Sequence, residues 1–426
     1  MAFDSLSDPS LVHPALLATF GIFTLSFLVG FTSHSSLLRP AALPIILSCV
    51  YLITSNSHLY MRDYWSGMLG GISCTYLLQY LDLCLLSQWD FTCNGPAKCT
   101  PSPVVSPDGR ATNVDGTIVS DPSKSRGSFW PRLHFGLSST FSYRHVNKPY
   151  ESRNTPTFDE HRPGYVPCRA NFLIKSAIIA GSCYLFVDLV SAAPPENNAT
   201  RFGPGHVSIF GRIQDVTLQE LTIRAFSTMT MWISSYCVLQ CIYNAMSIVA
   251  VGSSLSPVKS WRPAFGSPLE AYTIRRFWGN FWHQNLRRRM GEPAAFITHQ
   301  ILQLSKGSIL ARYLKIGLTF FISGLIHAGA DMAGGIPFHD QGTIRFFVTQ
   351  AFGIIIEDSI EALYRFSYGK DCKRRRTPGW ARAIGYVWTF AFLVWSTPAW
   401  FYPSAARTTA DTRKMIPFSI IYWLTR

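Results

Sequence analysis

Phe320-Phe321-Ile322-Ser323-Gly324-Leu325-Ile326-His327 lies within an apolar run from 308 to 329. A run of that length spans a bilayer as a helix, which takes about 20 residues. Of the eleven histidines, His327 alone sits well inside such a run. An ionisable ring there is costly to bury and marks a functional site by default.

The rest of the chain has the same character. Of its 426 residues 48% are hydrophobic and only 15% are charged, too few charges for a soluble protein of this size. Eight apolar runs are long enough to span: 11–31, 38–56, 66–87, 172–191, 225–251, 308–329, 345–366 and 381–402. A shorter ninth, Ile416 to Leu424, reads as interfacial or re-entrant. Helices are the open-ended elements that satisfy their own backbone in lipid. The expected fold is therefore all-α: one polytopic helical bundle of about eight to nine spans over residues 1–426. Asp4 and Asp8, with no basic residue before the first run, are unlike the charged start of a cleaved signal peptide, so that run is expected to stay in the protein.

A formal net charge of +14 raises the question of nucleic acid, but the basic residues fall in alternate loops instead of one surface. The segment 253–307 holds Lys259, Arg262, Arg275, Arg276, Arg287, Arg288, Arg289 and Lys306, and 367–380 holds Lys370, Lys373, Arg374, Arg375 and Arg376. By contrast 330–344 has none. The positive-inside rule places the basic loops in the cytosol and both termini on the far side. Two details agree with this topology. The sequon at Asn198 falls in a lumenal loop, where it is a candidate glycosylation site, and Cys93, Cys99, Cys168 and Cys372, the cysteines outside the runs, fall on the reducing side. No cysteine spacing suggests a metal site or a disulfide framework. The stretch 88–171 is rich in Pro, Ser, Gly and Asn and reads as a long, partly disordered cytosolic loop, whose apolar portion 127–145 is able to lie on the membrane or pack on the body.

A second unusual segment precedes His327: Arg275-Arg276-Phe277-Trp278-Gly279-Asn280-Phe281-Trp282-His283-Gln284-Asn285. On a helix, Phe277, Trp278, Phe281, Trp282 and Asn285 share one side, and Arg276, Asn280, His283 and Arg287 share the other. One reading is a juxtamembrane anchor whose arginines meet anionic lipid. The other is a cavity wall, which better explains a histidine and an asparagine in the polar stripe. His327 likewise has two readings, a hydrogen bond between helices or a base. Ser323 and Gly324 beside it are small enough to let another helix or a ligand approach closely. Asp331, four residues on, either orients the ring or sits solvated at the helix end. Glu357, Asp358 and Glu361 in the seventh run are expected to pair structurally with arginines such as Arg365. Hydrolase and nucleotide-binding motifs are absent.

At these two segments the chain resembles the wax synthase-like branch of membrane-bound O-acyltransferases, especially fungal enzymes that acetylate terpenoid and meroterpenoid alcohols. The residues that carry the likeness are Arg276-Phe277-Trp278-Gly279-Asn280-Phe281-Trp282-His283-Gln284 and Ser323-Gly324-Leu325-Ile326-His327. The resemblance implies acyl transfer from acetyl-CoA or another acyl-CoA, a co-substrate and not a bound cofactor, to a hydrophobic alcohol. His327 would be the base, with Asn280 or His283 donating to the oxyanion. Arg276 and Arg287, with Arg288 and Arg289 nearby, would hold phosphates, and Trp278 and Trp282 would wall the entry. Gln284, Ser323 and Asp331 complete the expected substrate site. Alternatives are wax-ester or sterol acylation, or a transporter or lipid-binding protein. The bilayer is the expected partner, nucleic acid is not, and the endoplasmic reticulum is the expected location. If both segments serve one reaction, a passage must join the cytosolic arginines to His327.

Overall fold

A computed structural model describes residues 12–97, 128–192, 197–368, 377–408 and 416–424, with the backbone of two short strands at 104–105 and 111–112. Asp4, Asp8, Cys99, Cys372 and the basic cluster 370–376 lie outside the described residues. The helices in chain order are α1 (Pro14–Phe31), α2 (Leu38–Tyr60), α3 (Asp63–Leu86), α4 (Phe129–Phe141), α5 (Arg169–Ala192) and α6 (Leu218–Gly252). They continue with α7 (Arg287–Phe296), α8 (Ile309–Ala333), α9 (Thr343–Tyr368), α10 (Gly379–Ser396), α11 (Pro398–Arg407) and the short α12 (Ile420–Leu424). Their starts follow local chemistry, because the first N–H groups of a helix need acceptors. Thr217 accepts from Glu220 N–H at 3.2 Å to open α6, and Ser308 accepts from Ala311 N–H at 3.2 Å to open α8.

Among the described residues six helices, α1, α2, α3, α5, α6 and α8, are long and apolar enough to cross a membrane. The seventh run also forms a helix, α9, but it carries Arg345, Glu357, Asp358, Glu361 and Arg365. The eighth run is not one helix. It breaks at Thr397, where Pro398 restarts the chain as α11, because proline cannot donate to the preceding turn. Thr397 is fixed by the Trp232 indole N–H, which donates to its hydroxyl at 3.0 Å.

The expectation of a long, partly disordered loop over 88–171 does not describe its second half. Residues 128–168 fold onto the helical body. On α4 the buried residues Phe135, Gly136, Ser139 and Thr140 recur at helical spacing and face α1. The two backbones come so close that a Cβ on Gly136 would lie 2.1 Å from the Ser26 carbonyl oxygen, so only glycine fits there. Beyond α4, Arg144 is buried and donates to the carbonyls of Arg262 and Pro263 and to the Tyr243 hydroxyl. Asn154 donates to the Gly279 carbonyl at 2.8 Å. The loop is thus tied to the segment that precedes α7.

Two buried polar contacts fix α7 against α3. Arg288 donates to the fully buried Asp82 carboxylate at 2.8 Å and to Ser87 at 3.0 Å. Arg289, itself fully buried, donates to Gln79 and lies 3.3 Å over the Tyr143 ring. A buried carboxylate left without its partner costs several kcal/mol, on the order of 3–5. Arg289 does not reach the cavity wall, and Arg288, which does, is already paired with a carboxylate; neither is placed as the free phosphate-holding cation that was expected. Two of the three α9 acids pair with arginines: Asp358 takes Arg275 at 2.5 Å and Arg312 at 2.9 Å, and Glu361 meets Arg365, whereas Glu357 accepts from backbone N–H groups and the Trp388 indole.

Candidate active site

The aromatic segment is not the continuous helix that its sequence spacing predicts. Ile274–Arg276 makes one α-helical turn, Phe277–Phe281 widens into a π-helical turn, and Trp282 leaves in extended conformation. Glu357 on α9 anchors the start, accepting the backbone N–H groups of Ile274 and Arg275. At the other end Phe281 O accepts from Gly266 N–H at 2.9 Å, and a Cβ on Gly266 would lie 2.1 Å from Asn280 O. The Gln284 side-chain amide then folds back on the turn, donating to Trp282 O at 2.6 Å and Trp278 O at 3.1 Å.

This widened turn redistributes the expected faces. Trp278, Trp282, His283, Gln284 and Arg287 line a cavity. Arg276 and Asn280 do not. Arg276 pairs with Glu270 and stacks over the Tyr272 ring at 4.6 Å. Asn280 lies against Asn154 at 3.2 Å and Glu270 at 3.5 Å, so its expected role at an oxyanion is withdrawn.

His327 sits three-quarters of the way along α8. Its Nδ1 is 2.8 Å from the Ser323 carbonyl oxygen. A carbonyl only accepts, so Nδ1 carries the proton, and in the neutral ring Nε2 keeps its lone pair. The ring is clamped, stacked on Phe347 with centroids 4.4 Å apart and meeting Trp400 edge-on at 5.1 Å. Asp331 does not orient the imidazole, as expected from spacing. It accepts from the Thr343 hydroxyl and the Trp400 indole, and so positions His327 through Trp400.

The same open cavity, about 2290 Å³, takes in Ser323, His327, Asp331, Phe347 and Trp400 as well as the aromatic turn. A pocket for one drug-sized ligand has roughly 300–1,000 Å³, so this space suits two substrates at once. Along α8 its wall is the stripe Arg312, Lys315, Thr319, Ser323, His327 and Asp331. At about 1.5 Å per residue that stripe runs about 29 Å, close to the thickness of a hydrocarbon core. One cavity thus reaches from the aromatic turn to His327.

Its two ends differ. Arg153, Arg275, Arg287, Arg288, Arg312 and Lys315 gather at one end. Arg275 and Arg312 share the one carboxylate of Asp358, and Arg288 pairs with Asp82. Among the described residues no ion pair to a carboxylate engages Arg153, Arg287 or Lys315. Arg287 is braced by neutral acceptors, Gly279 O at 3.0 Å and Gln284 Oε1 at 2.8 Å. Burial and then the Arg153 charge hold its guanidinium below the ordinary value. Two adjacent cations on a cavity wall favour an anion between them.

His283 is turned to the same space, and its Nδ1 is buried without a hydrogen-bond partner. Burial, then the neighbouring His327 and Arg144, push its pKa down to about 3. His145, stacked on Trp89 at 4.5 Å, is also pushed down to about 3, by burial and then by Arg288, Arg289 and Lys148. Both rings stay neutral in the fold, whereas the unfolded chain protonates them below pH 6.5. The unfolded state therefore binds more protons between pH 6.5 and 3, and stability falls as pH falls through that window, by on the order of 1 kcal/mol per ring per pH unit. Unfolding midpoints in detergent should be flat above pH 7 and drop steadily below 6.5, with a shallower drop in His145→Phe. A midpoint unchanged down to pH 4.5 contradicts the neutral burial of both rings.

At the far end, Asn198 is buried at the cavity wall, and its Nδ2, the atom a glycan would occupy, donates to Thr408 O at 3.0 Å. The fold therefore does not present it as an accessible acceptor. Sequence reasoning missed Phe347, Trp400 and Arg153. The first two are ordinary residues of apolar runs, and Arg153 lies in a loop without periodicity.

The profile of the membrane bound O-acyl transferase family matches residues 261–349, a stretch that contains both the aromatic turn and His327. The chain is 34% identical to the acetyltransferase aurG of Calcarisporium arbuscula, over 94% of this chain and 95% of that protein. It is 31% identical to the acetyltransferase fsoF of Humicola fuscoatra over 92% and 96%, and 30% identical to the acetyltransferase atnC of an Arthrinium species over 95% and 90%. No solved structure matches the chain.

Proposed function

Because the chain belongs to the membrane-bound O-acyltransferase family, and is an acyltransferase of that family, we propose that it moves an acetyl group from acetyl-CoA to a hydroxyl of a terpenoid or meroterpenoid alcohol. The observation that carries this reading is the single cavity that joins the basic end to His327. The anionic donor enters at the basic end, where Arg287 and Arg153 take phosphate oxygens and Trp278 and Trp282 wall the pantetheine arm. The apolar alcohol occupies the side walled by α5 and α6.

Nε2 of His327 accepts the hydroxyl proton as the alcohol oxygen attacks the thioester carbonyl. General-base help of this kind contributes typically about 100 to 10,000-fold. The C–S bond then breaks, and the sulfur leaves as a thiol with the proton returned by His327. His283, neutral and otherwise unpartnered at Nδ1, supplies a hydrogen bond to the developing oxyanion.

In this reading the protein is an integral membrane protein of the endoplasmic reticulum, with α9 and α10 completing eight spans and the basic end facing the cytosol. Membranes that contain the protein should label a terpenoid alcohol from acetyl-CoA and leave fatty alcohols and sterols unlabelled from palmitoyl-CoA. Preferred use of palmitoyl-CoA would replace this reading with wax-ester or sterol acylation, and labelling of no alcohol would remove it.

A further inference from the structure

The ninth apolar run has a definite place in the fold. Residues 416–421 lie along α5, held by Asp188. That carboxylate is fully buried, accepting from the Ser419 hydroxyl at 2.6 Å and from the backbone N–H groups of Ile420 and Ile421 at 2.8 and 3.0 Å. The Tyr184 hydroxyl donates to Phe418 O. Among the described residues, the hydrogen bonds of Asp188 thus run to this short segment. A carboxylate inside an apolar helix is costly and is kept where it does something. Five helical residues, Ile420–Leu424, contribute little stability by themselves.

What the latch achieves is visible on the inner side. Ile416 and Pro417 are part of the cavity wall, beside Tyr184 and Val187 of α5. Ile416 packs on Cys183, Val187 and Cys237 and so fills the seam between α5 and α6. The outer side is apolar and exposed at Phe418, Trp423 and Leu424, as a lipid-facing surface would be. The segment thus stands between lipid and the apolar side of the cavity, opposite in character to the basic donor end.

We propose that residues 416–421 are a wall of the acceptor pocket, latched by Asp188, and that Ile416 and Pro417 determine which alcohols fit. The proposal rests on the acyltransfer reading given above, with the alcohol on the α5–α6 side. It assigns the segment a role in specificity: bulk at 416 subtracts directly from the space open to a polycyclic alcohol. The latch acts at a distance from the chemistry, so neither the donor site nor His327 depends on it.

The test is the acceptor profile of Ile416→Trp and Ile416→Ala, measured as kcat/KM with acetyl-CoA over alcohols from a small prenyl alcohol to a pentacyclic one. Ile416→Trp should lower kcat/KM for the largest acceptors at least tenfold and change the smallest by less than about twofold, with the KM for acetyl-CoA unchanged. Ile416→Ala should move the preference towards larger alcohols. Asp188→Asn, which keeps one acceptor oxygen, should raise acceptor KM across the panel and leave donor KM alone. In the Ile416 variants, equal losses for all acceptors, a change confined to donor KM, or an unaltered size ranking would overturn the proposal, as would a native acceptor KM in folded Asp188→Asn. Should Asp188→Asn not fold, the two Ile416 variants decide alone. Transfer to no alcohol by the unaltered protein defeats the acyltransfer reading itself, whereas normal transfer with an unmoved size ranking defeats only this assignment.

Discussion

Replacing His327 by alanine should lower the turnover of acetyl transfer by about 100- to 10,000-fold, the range for losing a positioned general base. The loss should fall on kcat, because the ring contacts the acceptor hydroxyl and not the phosphates at the opposite end. His327→Gln separates chemistry from packing. Its amide can still meet Ser323 O, at 2.8 Å from Nδ1 in the native ring, and still occupy the space between Phe347 and Trp400. It cannot take a proton. Both variants should unfold near the native midpoint and retain donor KM within about twofold. Near-normal turnover in either one removes His327 from the chemistry and leaves it a packing residue.

The second large effect is expected at the basic end. Arg287→Ala removes a hydrogen-bonding cation, a contact worth about 1.5–3 kcal/mol. That converts to about a 10- to 150-fold rise in the KM for acetyl-CoA, with kcat close to native. Arg153→Ala should act in the same direction, and the pair should not be additive if they share one phosphate. The control is a donor without phosphates, S-acetyl-pantetheine. It should bind weakly to the native protein and equally weakly to both variants. If the variants impair the truncated donor as much as the full one, the arginines are structural. By the same logic Arg288→Ala should destabilise the protein and not selectively weaken the donor, since its partner is the buried Asp82.

How legible these features are in the sequence depends on what physics writes into local order. Apolar length decides a membrane helix, and α1, α2, α3, α5, α6 and α8 follow their runs to within a few residues, except that α6 begins seven residues before its expected start at 225. His327 stands out for the same reason, since an ionisable ring inside such a run is visible without any contact map. Partners are not visible. The sequence shows Arg288 as a cation beside Arg287, and both reach the cavity wall, yet Asp82, 206 residues away, pairs with Arg288 while Arg287 meets only neutral acceptors. The aromatic turn failed for a different reason. A period of 3.6 residues assumes an α-helix, and the π-helical turn at Phe277–Phe281 followed by extended Trp282 turns Asn280 away from the cavity and keeps His283 in it. Asp331 lies at helical spacing from His327, but the Ser323 carbonyl already occupies Nδ1, and the carboxylate serves Trp400 instead. Beyond α4 the 142–171 stretch carries little periodic signal, so Arg144 and Arg153 become meaningful only once folded onto the 261–287 segment.

The central claim is that one passage brings a thioester from the basic end to His327. Cryo-electron microscopy of the full chain in nanodiscs, with an unreactive acetyl-CoA analogue whose sulfur is replaced by methylene, tests it most directly. The account predicts phosphate density at Arg287 and Arg153, the pantetheine arm passing Trp278 and Trp282, and the acetyl carbonyl within about 4 Å of both His283 and Nε2 of His327, near the reach of a catalytic hydrogen bond. Donor density that ends at the aromatic turn, or an acetyl group lodged away from His327, would contradict it.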